Sequence, residues 1–234
     1  MLLLFFHLRV FDEQKDFEED QVAHPERLLS QGIVTLPFLT RAALGAMVLQ
    51  ASLAASLGST ALIAWLVCLL FTVIMRIEFG VGTWLNQHPM LYALTHNPIT
   101  PLLGVFAWAS TGLPWSGEFG WYLGSVAMGA LAFELGRKIR LPEEEQDGVS
   151  TYSKSFGRRQ AGLWLILASL LCIVLAIPLL NLLGTPHQIS TEESLAYVFL
   201  ISPGVQILMA VYRKASAKGV ELASSSLLLG CFGA

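Results

Sequence analysis

The sequence predicts an all-α protein built as a multi-pass transmembrane helical bundle. Of its 234 residues, 54% are hydrophobic and only 13% are charged, whereas a soluble domain carries about 25% charged residues. The mean hydropathy is +0.61. The charged residues are collected into a few stretches between long apolar segments, and a membrane-spanning helix needs about 20 such apolar residues. Helices satisfy their own backbone groups within lipid, so this pattern favours a bundle of spans.

About eight spans are visible in the sequence. Their predicted bounds, in chain order, are 1–22 with an acidic second half, 33–57, 60–75, 90–111, 119–136, 161–183, 192–212, and 220 onward. Pro25 ends the first helix, because the residue before a proline avoids the α region. Gly58 predicts a tight turn between the second and third spans. Pro98 and Pro101 predict a kink in the fourth span.

The ends of the chain shape the expected domain organisation. The apolar run MLLLFFHLR at the amino terminus is too short to span a bilayer. It also lacks the basic region and the small-residue cleavage site of a signal peptide. The segment Val220–Ala234 is short for a span as well. We therefore expect a single domain over residues 1–234, truncated at the amino terminus and possibly at the carboxyl terminus.

Lysine and arginine are concentrated in alternate connections between the predicted spans. The connections after the first, third, fifth and seventh spans hold nearly all of them, and those after the second, fourth and sixth hold none. The positive-inside rule places the basic connections on the cytoplasmic face. We expect an integral protein of a bacterial plasma membrane, in contact with membrane lipid. The sequence has no basic stretch with interleaved aromatic residues, so it does not indicate a nucleic-acid partner.

An acidic stretch, Phe11–Gly32, follows the first apolar run. Asp12, Asp16 and Asp20 are spaced four apart, which stacks them on one face of a helix. Like charges at this spacing repel, so they imply a compensating cation. Hard divalent cations bind carboxylate oxygens, and Mg²⁺ commonly shares substrate phosphates. This predicts a carboxylate face that holds Mg²⁺ and a phosphorylated substrate; the alternative is a solvated helix face.

A second charged stretch follows the fifth span. We expect its helix to continue as far as Arg140 and to end at Pro142, with an N-cap among residues 150–153 before the sixth span. Arginine and lysine side chains here suit phosphate oxygens, so the two stretches on one membrane face predict a diphosphate cradle. The alternative is ordinary juxtamembrane charge that sets topology and contacts anionic lipid.

The two stretches together resemble the UbiA superfamily of intramembrane prenyltransferases. The first motif of that family reads roughly Asn-Asp-x-x-Asp-x-x-x-Asp, then Arg-Pro-Leu and Gly-x-Ile/Val. The matching positions here are Asp12, Glu13, Asp16 and Asp20, followed by Arg27-Leu28 and Gly32-Ile33-Val34. The end of the second motif is matched by Gly148-Val149-Ser150-Thr151. This chain departs from the pattern, because it has Asp12 for the leading Asn and Arg140 where the second motif has an aspartate.

The resemblance implies a nine-helix fold in which the visible spans are the second to the ninth. It implies Mg²⁺-dependent transfer of a prenyl group from a prenyl diphosphate to an aromatic or other lipophilic acceptor within the membrane. The implied metal ligands are Asp12, Glu13, Asp16, Asp20 and Glu144. The implied diphosphate-binding residues are Arg27, Arg137, Lys138 and Arg140. The implied catalytic residues are Asp12, Asp16, Asp20 and Lys138. Asn86 and His88 are candidates for the acceptor pocket.

Three other functions stay open at this point. A membrane transporter places its ions near the bilayer midplane, whereas the charges here lie near helix ends, Arg41 being the main exception. A catalytically inactive relative would share the fold without the activity. A CDP-alcohol phosphotransferase ranks lower, because this chain lacks its run of an Asp-Gly start, an Ala-Arg pair and two later aspartates.

Overall fold

The computed structural model describes residues 2–145, 149–183, 218–222 and 224–225. These residues form helices and connecting turns, with no strand among them. The helices are α1 (Leu2–Lys15), α2 (Phe17–Ala23), α3 (Leu36–Ser56), α4 (Ser59–Arg76), α5 (Gly82–Asn86), α6 (Pro89–His96), α7 (Ile99–Ala109), α8 (Gly117–Arg137), α9 (Tyr152–Phe156) and α10 (Arg158–Leu183). Two 3₁₀ turns lie at Glu78–Gly80 and Pro142–Glu144. The all-α prediction is confirmed for the described residues.

Three of the described helices are long and apolar enough to cross a membrane. They span Leu36–Ser56, Ser59–Arg76 and Arg158–Pro178. Much of their surface is exposed apolar side chain, which suits contact with lipid. These segments support a membrane protein, while the full set of eight spans stays a prediction. The predicted span 192–212 and most of the span from 220 onward lie outside the described residues.

Several helix ends fall where the turn chemistry predicts them. Thr35 caps α3, its side chain accepting a hydrogen bond from the Phe38 backbone N–H at 3.4 Å. Gly58 joins α3 to α4 with φ of 113°, a conformation that side chains disfavour. Pro98 lies in the break between α6 and α7, so the predicted kink is confirmed as an interruption of the fourth segment.

Two helix predictions are wrong in detail. The acidic helix is not continuous to residue 22, because it breaks at Asp16 between α1 and α2. The helix of the predicted fifth span, α8, ends at Arg137 rather than continuing to Arg140. Beyond that end, the Lys138 carbonyl accepts from the Tyr152 backbone N–H at 3.0 Å. The Arg140 N–H donates to the Ser153 hydroxyl at 2.9 Å. These distant partners replace the bonds that a longer helix would make.

The chain packs into two compact units. The first comprises residues Met1–Trp84 and Leu102–Leu113, and the second comprises Leu85–Pro101 and Pro114–Ala234. In the first unit, α1 packs against α3 and α4. In the second, α8 and α10 form the most extensive helix pair among the described elements. The expectation of a single domain over the whole chain stays a prediction.

A buried polar network joins the three main helices of the first unit. The Gln50 amide on α3 donates to the Leu3 carbonyl at 2.9 Å and to His7 Nδ1 at 3.2 Å, both on α1. Its oxygen accepts from the Trp65 indole of α4 at 3.0 Å. His7 Nε2 lies 3.3 Å from the Thr72 hydroxyl. Because Nδ1 accepts, the proton of His7 belongs on Nε2, which donates to Thr72.

The core of the second unit is a face of small side chains between α8 and α10. Small residues on α10 recur at helical spacing and are almost fully buried: Ala161, Ala168, Cys172 and Ala176. Such residues let two helices approach closely, as they do in membrane bundles. The Ser125 hydroxyl of α8 donates to the Cys172 carbonyl at 3.1 Å. A side chain at Gly124 would lie 3.2 Å from Leu175 Cδ1, which marks the same close approach.

Replacement of Gln50 by leucine tests the network of the first unit. The variant leaves the Leu3 carbonyl, the His7 ring and the Trp65 indole without their buried partner. Each such group costs about 1–3 kcal/mol. We expect the free energy of unfolding in detergent, followed by circular dichroism, to fall by about 3 kcal/mol or more.

Ser52→Ala on the same helix is the matched control. Ser52 is exposed and donates only along its own helix, to the Val48 carbonyl at 3.0 Å. Its removal should change stability by less than about 0.5 kcal/mol. Equal losses in the two variants would show that the Gln50 network does not hold the three helices together.

Candidate functional site

The acidic stretch keeps its helical spacing across the break at Asp16. The Asp16 N–H donates to the Asp12 carbonyl at 2.9 Å, and the Asp20 N–H donates to the Asp16 carbonyl at 2.8 Å. The three aspartates therefore follow one another at successive turns, each about 6 Å further along the axis. The helical spacing of these residues is therefore kept in the backbone, directly beyond the apolar part of α1, although the helix itself is broken at Asp16.

Three cations of the first unit pair with carboxylates in or beside this stretch. Glu13 pairs with Arg9 within α1, and Asp20 pairs with Arg27. Lys15 pairs with Glu78 at 2.9 Å. Asp12 and Asp16 also have interaction partners. The structure thus brings together Asp20 and Arg27, a predicted metal ligand and a predicted diphosphate ligand.

Local turn chemistry places Arg27 beside Asp20. The His24 N–H donates to the Asp20 carbonyl at 2.8 Å, and Pro25 then prevents a further helical turn. The Arg27 N–H donates to the His24 carbonyl at 3.1 Å, so the chain folds back towards α2. The Ser30 hydroxyl donates to the Asp20 carbonyl at 3.4 Å. The segment from Asp20 to Ser30 is therefore held together by hydrogen bonds between its own residues.

The donor types of the acidic stretch suit a hard divalent cation. Among the described residues, no three histidine, cysteine, aspartate or glutamate side chains are grouped so as to hold a metal ion. Mg²⁺ usually takes only one or two carboxylates and fills its shell with water and phosphate oxygens. Asp12 and Asp16 lie one turn apart and provide two carboxylates, which is the type of protein ligand that Mg²⁺ uses. Glu13 instead points its carboxylate to Arg9.

A strained turn follows α4, in the connection between the predicted third and fourth spans. Glu78, Phe79 and Gly80 all have left-handed backbone, with φ of 49°, 56° and 71°. This conformation costs a residue other than glycine about 1 kcal/mol or more. The nearby glycines at 80 and 82 were the one sequence signal for an unusual turn. A side chain at Gly82 would lie 1.9 Å from Glu78 Oε2.

In the second unit, the predicted diphosphate cations lie around a single carboxylate. Glu134 on α8 pairs with Arg137 and, at 2.9 Å, with Lys138. The Lys138 ammonium also lies 5.8 Å from the centre of the Tyr92 ring and 5.7 Å from that of Tyr152. These distances are within the range of cation–π attraction. Arg137 and Lys138 therefore share one carboxylate, and the three groups together carry a net charge of +1.

Tyr152 lies at the centre of this cluster and is 1% exposed. Burial raises the pKa of its hydroxyl well above the usual value, and the negative charge of Glu134 raises it further. Tyr152 therefore keeps its proton across the physiological range and serves as a hydrogen-bond donor. Its hydroxyl lies 3.5 Å from the Pro89 carbonyl.

The connection between α8 and α9 is held by two glutamates. The Thr151 and Ser153 hydroxyls donate to Glu145 at 2.8 Å and 2.6 Å. Glu144, the predicted second metal ligand, accepts from the Leu141 N–H at 3.0 Å and so caps the 3₁₀ turn. Thr151 caps α9, accepting from the Lys154 N–H at 3.1 Å. The predicted N-cap thus lies among residues 150–153, but it begins a short separate helix, and α10 starts only after Gly157.

Arg140 lies beside the same connection. Its Nη1 lies 3.4 Å from the Glu144 carbonyl oxygen, and its buried Nε has no hydrogen-bond partner among the described residues. Gly148 of the second motif lies outside the described residues. The part of Glu145 in holding the connection together was missed by sequence reasoning.

An open cavity of about 370 Å³ lies in the second unit. Its polar lining brings together Asn86 and His88, the two candidates for an acceptor pocket, with the hydroxyls of Ser150 and Ser155. The remaining lining residues are Gln87, Pro89, Met90, Leu91 and Phe156. A lining of polar groups and apolar side chains suits a lipophilic molecule with a polar head.

Comparison of the chain with protein-family models, with curated proteins and with solved structures found no match. The predictions for its site therefore depend on the residues and contacts described above.

Replacement of Glu145 by glutamine tests the connection between α8 and α9. An amide gives Thr151 and Ser153 a weaker, uncharged acceptor, and charge-assisted bonds are about twice as strong as neutral ones. We expect the connection to open more often. Tryptic cleavage after Arg140 and Lys154, followed by mass spectrometry, should become about tenfold faster.

Glu143→Gln removes the same charge from an exposed neighbour in the same turn. Cleavage of this control should match that of the unsubstituted protein. Equal acceleration in the two variants would mean that net charge, and not the Glu145 hydrogen bonds, protects the connection.

Proposed function

We propose that this protein is a Mg²⁺-dependent membrane prenyltransferase that moves a prenyl group from a prenyl diphosphate to an aromatic or other lipophilic acceptor. The observation that supports this function best is the line of Asp12, Asp16 and Asp20 at successive turns, just beyond the apolar part of α1. The chain that carries it has three helices able to cross a membrane.

The carboxylates of the first unit have defined parts in this proposal. Asp12 and Asp16 would each offer an oxygen to the ion, and Asp20 would complete the acidic face. The bound ion would neutralise charge that develops on the diphosphate leaving group. A charge cluster at the membrane surface also suits a substrate whose head is highly charged and whose tail is apolar.

Arg27 is the first unit's candidate for the diphosphate. In the structure its guanidinium pairs with Asp20, and its side chain is 37% exposed. An arginine can form two parallel charge-assisted hydrogen bonds to phosphate oxygens. Arg27 would hold a diphosphate oxygen next to the carboxylate face, in exchange for its bond to Asp20. Its exposure leaves it accessible to a ligand.

The parts of Arg137, Lys138, Arg140 and Glu144 stay predictions. Arg137 and Lys138 both pair with Glu134, and Glu144 caps a turn. The buried Nε of Arg140 has no hydrogen-bond partner among the described residues and is the one donor of this set that would suit an added anion. The proposed topology is a multi-pass bundle of eight or nine spans, with the acidic stretch on the cytoplasmic side of a bacterial plasma membrane.

Binding of radiolabelled farnesyl diphosphate to the purified protein in detergent tests this function. We expect binding that requires Mg²⁺ and is removed by EDTA. Asp16→Ala should weaken it at least about tenfold, because the variant removes the middle carboxylate of the line. The measurement is a binding isotherm with and without Mg²⁺ for each protein.

Glu18→Ala is the matched control, because Glu18 is an exposed carboxylate in the same stretch that lies off the aspartate line. Its isotherm should overlay that of the unsubstituted protein. Binding that ignores both Mg²⁺ and the loss of Asp16 would identify the acidic stretch as a solvated face. A transporter or an inactive relative would then become the better assignment.

A further inference from the structure

The cavity of about 370 Å³ in the second unit is lined by two stretches of chain. Residues 86–91 supply one side, from the end of α5 into the first turn of α6, and Ser150, Ser155 and Phe156 at α9 supply the other. Its volume is within the range of about 300–1,000 Å³ that small-molecule sites have. None of the residues to which the proposed function gives a part is among the described lining residues.

Contacts inside the second unit hold the two sides of this cavity together. The Tyr152 hydroxyl of α9 lies 3.5 Å from the Pro89 carbonyl at the start of α6. The Lys138 ammonium lies 5.8 Å from the centre of the Tyr92 ring on α6 and 5.7 Å from that of Tyr152, so it attracts an aromatic ring from each side. Because the protein makes these contacts itself, a ligand does not have to order the cavity when it binds.

The polar part of the lining has many groups that both donate and accept hydrogen bonds. It consists of the Asn86 and Gln87 amides, the His88 imidazole, and the Ser150 and Ser155 hydroxyls. All five side chains are exposed, so a ligand can reach them. Amide and hydroxyl groups each offer a donor and an acceptor. A ligand with several hydroxyl groups matches them best, since a hydroxyl also does both, whereas a carbonyl oxygen only accepts.

The lining is poor in charged side chains. Among the described residues it contains no aspartate, glutamate, lysine or arginine. A phosphate or ammonium head group would therefore find no carboxylate, guanidinium or lysine ammonium to pair with in the cavity. A charge removed from water without such a partner is costly, whereas a hydroxyl group needs only hydrogen bonds. The lining thus favours an uncharged, hydroxyl-rich ligand.

The apolar part of the lining includes the ring of Phe156. This ring packs edge-on against Trp164 of α10, with centroids 4.8 Å apart. Pro89, Met90 and Leu91 supply the other apolar side chains. A sugar ring has C–H groups on its faces, and the negative face of an aromatic ring attracts such groups. Amides, hydroxyls and an aromatic ring together therefore suit a sugar better than a simple alcohol.

The cavity lies at one end of a helix that is able to cross a membrane. That candidate span begins at Arg158, two residues after Phe156. Trp164 lies in its second turn, and tryptophan is enriched at the membrane–water interface. The same helix exposes apolar side chains along its length: Leu163, Leu167, Leu170, Leu171, Val174 and Ile177. A head group in the cavity would thus belong to a molecule whose chains lie in lipid.

We propose that this cavity binds the uncharged sugar head group of a membrane glycolipid, whose acyl chains lie in the bilayer. Asn86, Ser155 and the other polar lining residues would bond to the sugar hydroxyls, and Phe156 would pack against the ring. The inference goes beyond the proposed function and does not rest on it, because neither Mg²⁺ nor a diphosphate takes part. It gives Asn86 and His88 a ligand other than a prenyl acceptor.

Native mass spectrometry of the purified protein tests the proposal, in an ether-type detergent that has no sugar head. The measurement is the affinity for the first bound molecule of three lipids with the same two oleoyl chains. Monoglucosyl dioleoylglycerol carries the sugar, and dioleoylglycerol lacks it. Dioleoylphosphatidylglycerol carries a negative charge, which Arg158 and Arg159 at the start of α10 would attract. Circular dichroism verifies that each variant keeps its fold.

We expect the glucosyl lipid to bind at least about tenfold more tightly than dioleoylglycerol, because the sugar adds several hydrogen bonds. Asn86→Leu and Ser155→Val should each weaken the glucosyl lipid by about threefold to tenfold and leave dioleoylglycerol unchanged. His88→Gln should change its affinity by less than about threefold, because an amide also donates and accepts.

Thr83→Val is the matched control. Thr83 is an exposed hydroxyl residue on α5 and is not among the described lining residues. Its loss should leave the affinity for the glucosyl lipid within about twofold of the unsubstituted value.

Three results would overturn the glycolipid site. One is equal affinity for the glucosyl lipid and dioleoylglycerol, and another is equal affinity of Asn86→Leu, Ser155→Val and Thr83→Val for the glucosyl lipid. The third is tighter binding of dioleoylphosphatidylglycerol that His88→Gln removes, which would make the cavity a phosphate site. None of these results bears on farnesyl diphosphate binding, so the two proposals fail separately.

Discussion

The amide of Gln50 is the interaction on which the first unit depends. A single buried side chain bonds to two positions of α1 and to Trp65 of α4, so it fixes three helices at once. A buried amide is costly unless all its bonds are made, and here each is made. Helices packed by apolar contact alone can slide, whereas this network permits one register. The register places the acidic end of α1 where α4 ends and Glu78 reaches Lys15.

Charge is distributed differently in the two units. In the first, the acidic stretch Phe11–Gly32 carries seven carboxylates and two cations, Lys15 and Arg27. In the second, a single carboxylate, Glu134, pairs with two cations, Arg137 and Lys138, so these three groups carry a net charge of +1. An acidic face that carries more negative charge than its own cations neutralise has a physical reason to take a divalent ion. This contrast is why the proposed function is built on the first unit.

The candidate site is also a place where local preferences are overruled. Glu78 and Phe79 would be more stable in a right-handed conformation, yet the ion pair with Lys15 and the space over Gly82 hold them otherwise. A sequence in which every local preference agrees with the fold is expected away from functional sites, and violations are expected within them. The strained turn and the broken acidic helix are two such violations, joined by one ion pair.

The sequence by itself determined the all-α class, three apolar helices, the turn at Gly58 and the spacing of Asp12, Asp16 and Asp20, because hydropathy, glycine and helical periodicity act between near neighbours. Only the tertiary structure decided that α8 ends at Arg137, that Glu145 holds Thr151 and Ser153, and that Glu78 reaches Lys15. Each of these depends on a partner outside the local helical pattern, and Lys15 and Glu78 lie 63 residues apart. Hydrogen bonds and ion pairs of this kind form only once the helices have packed, so no local pattern encodes them.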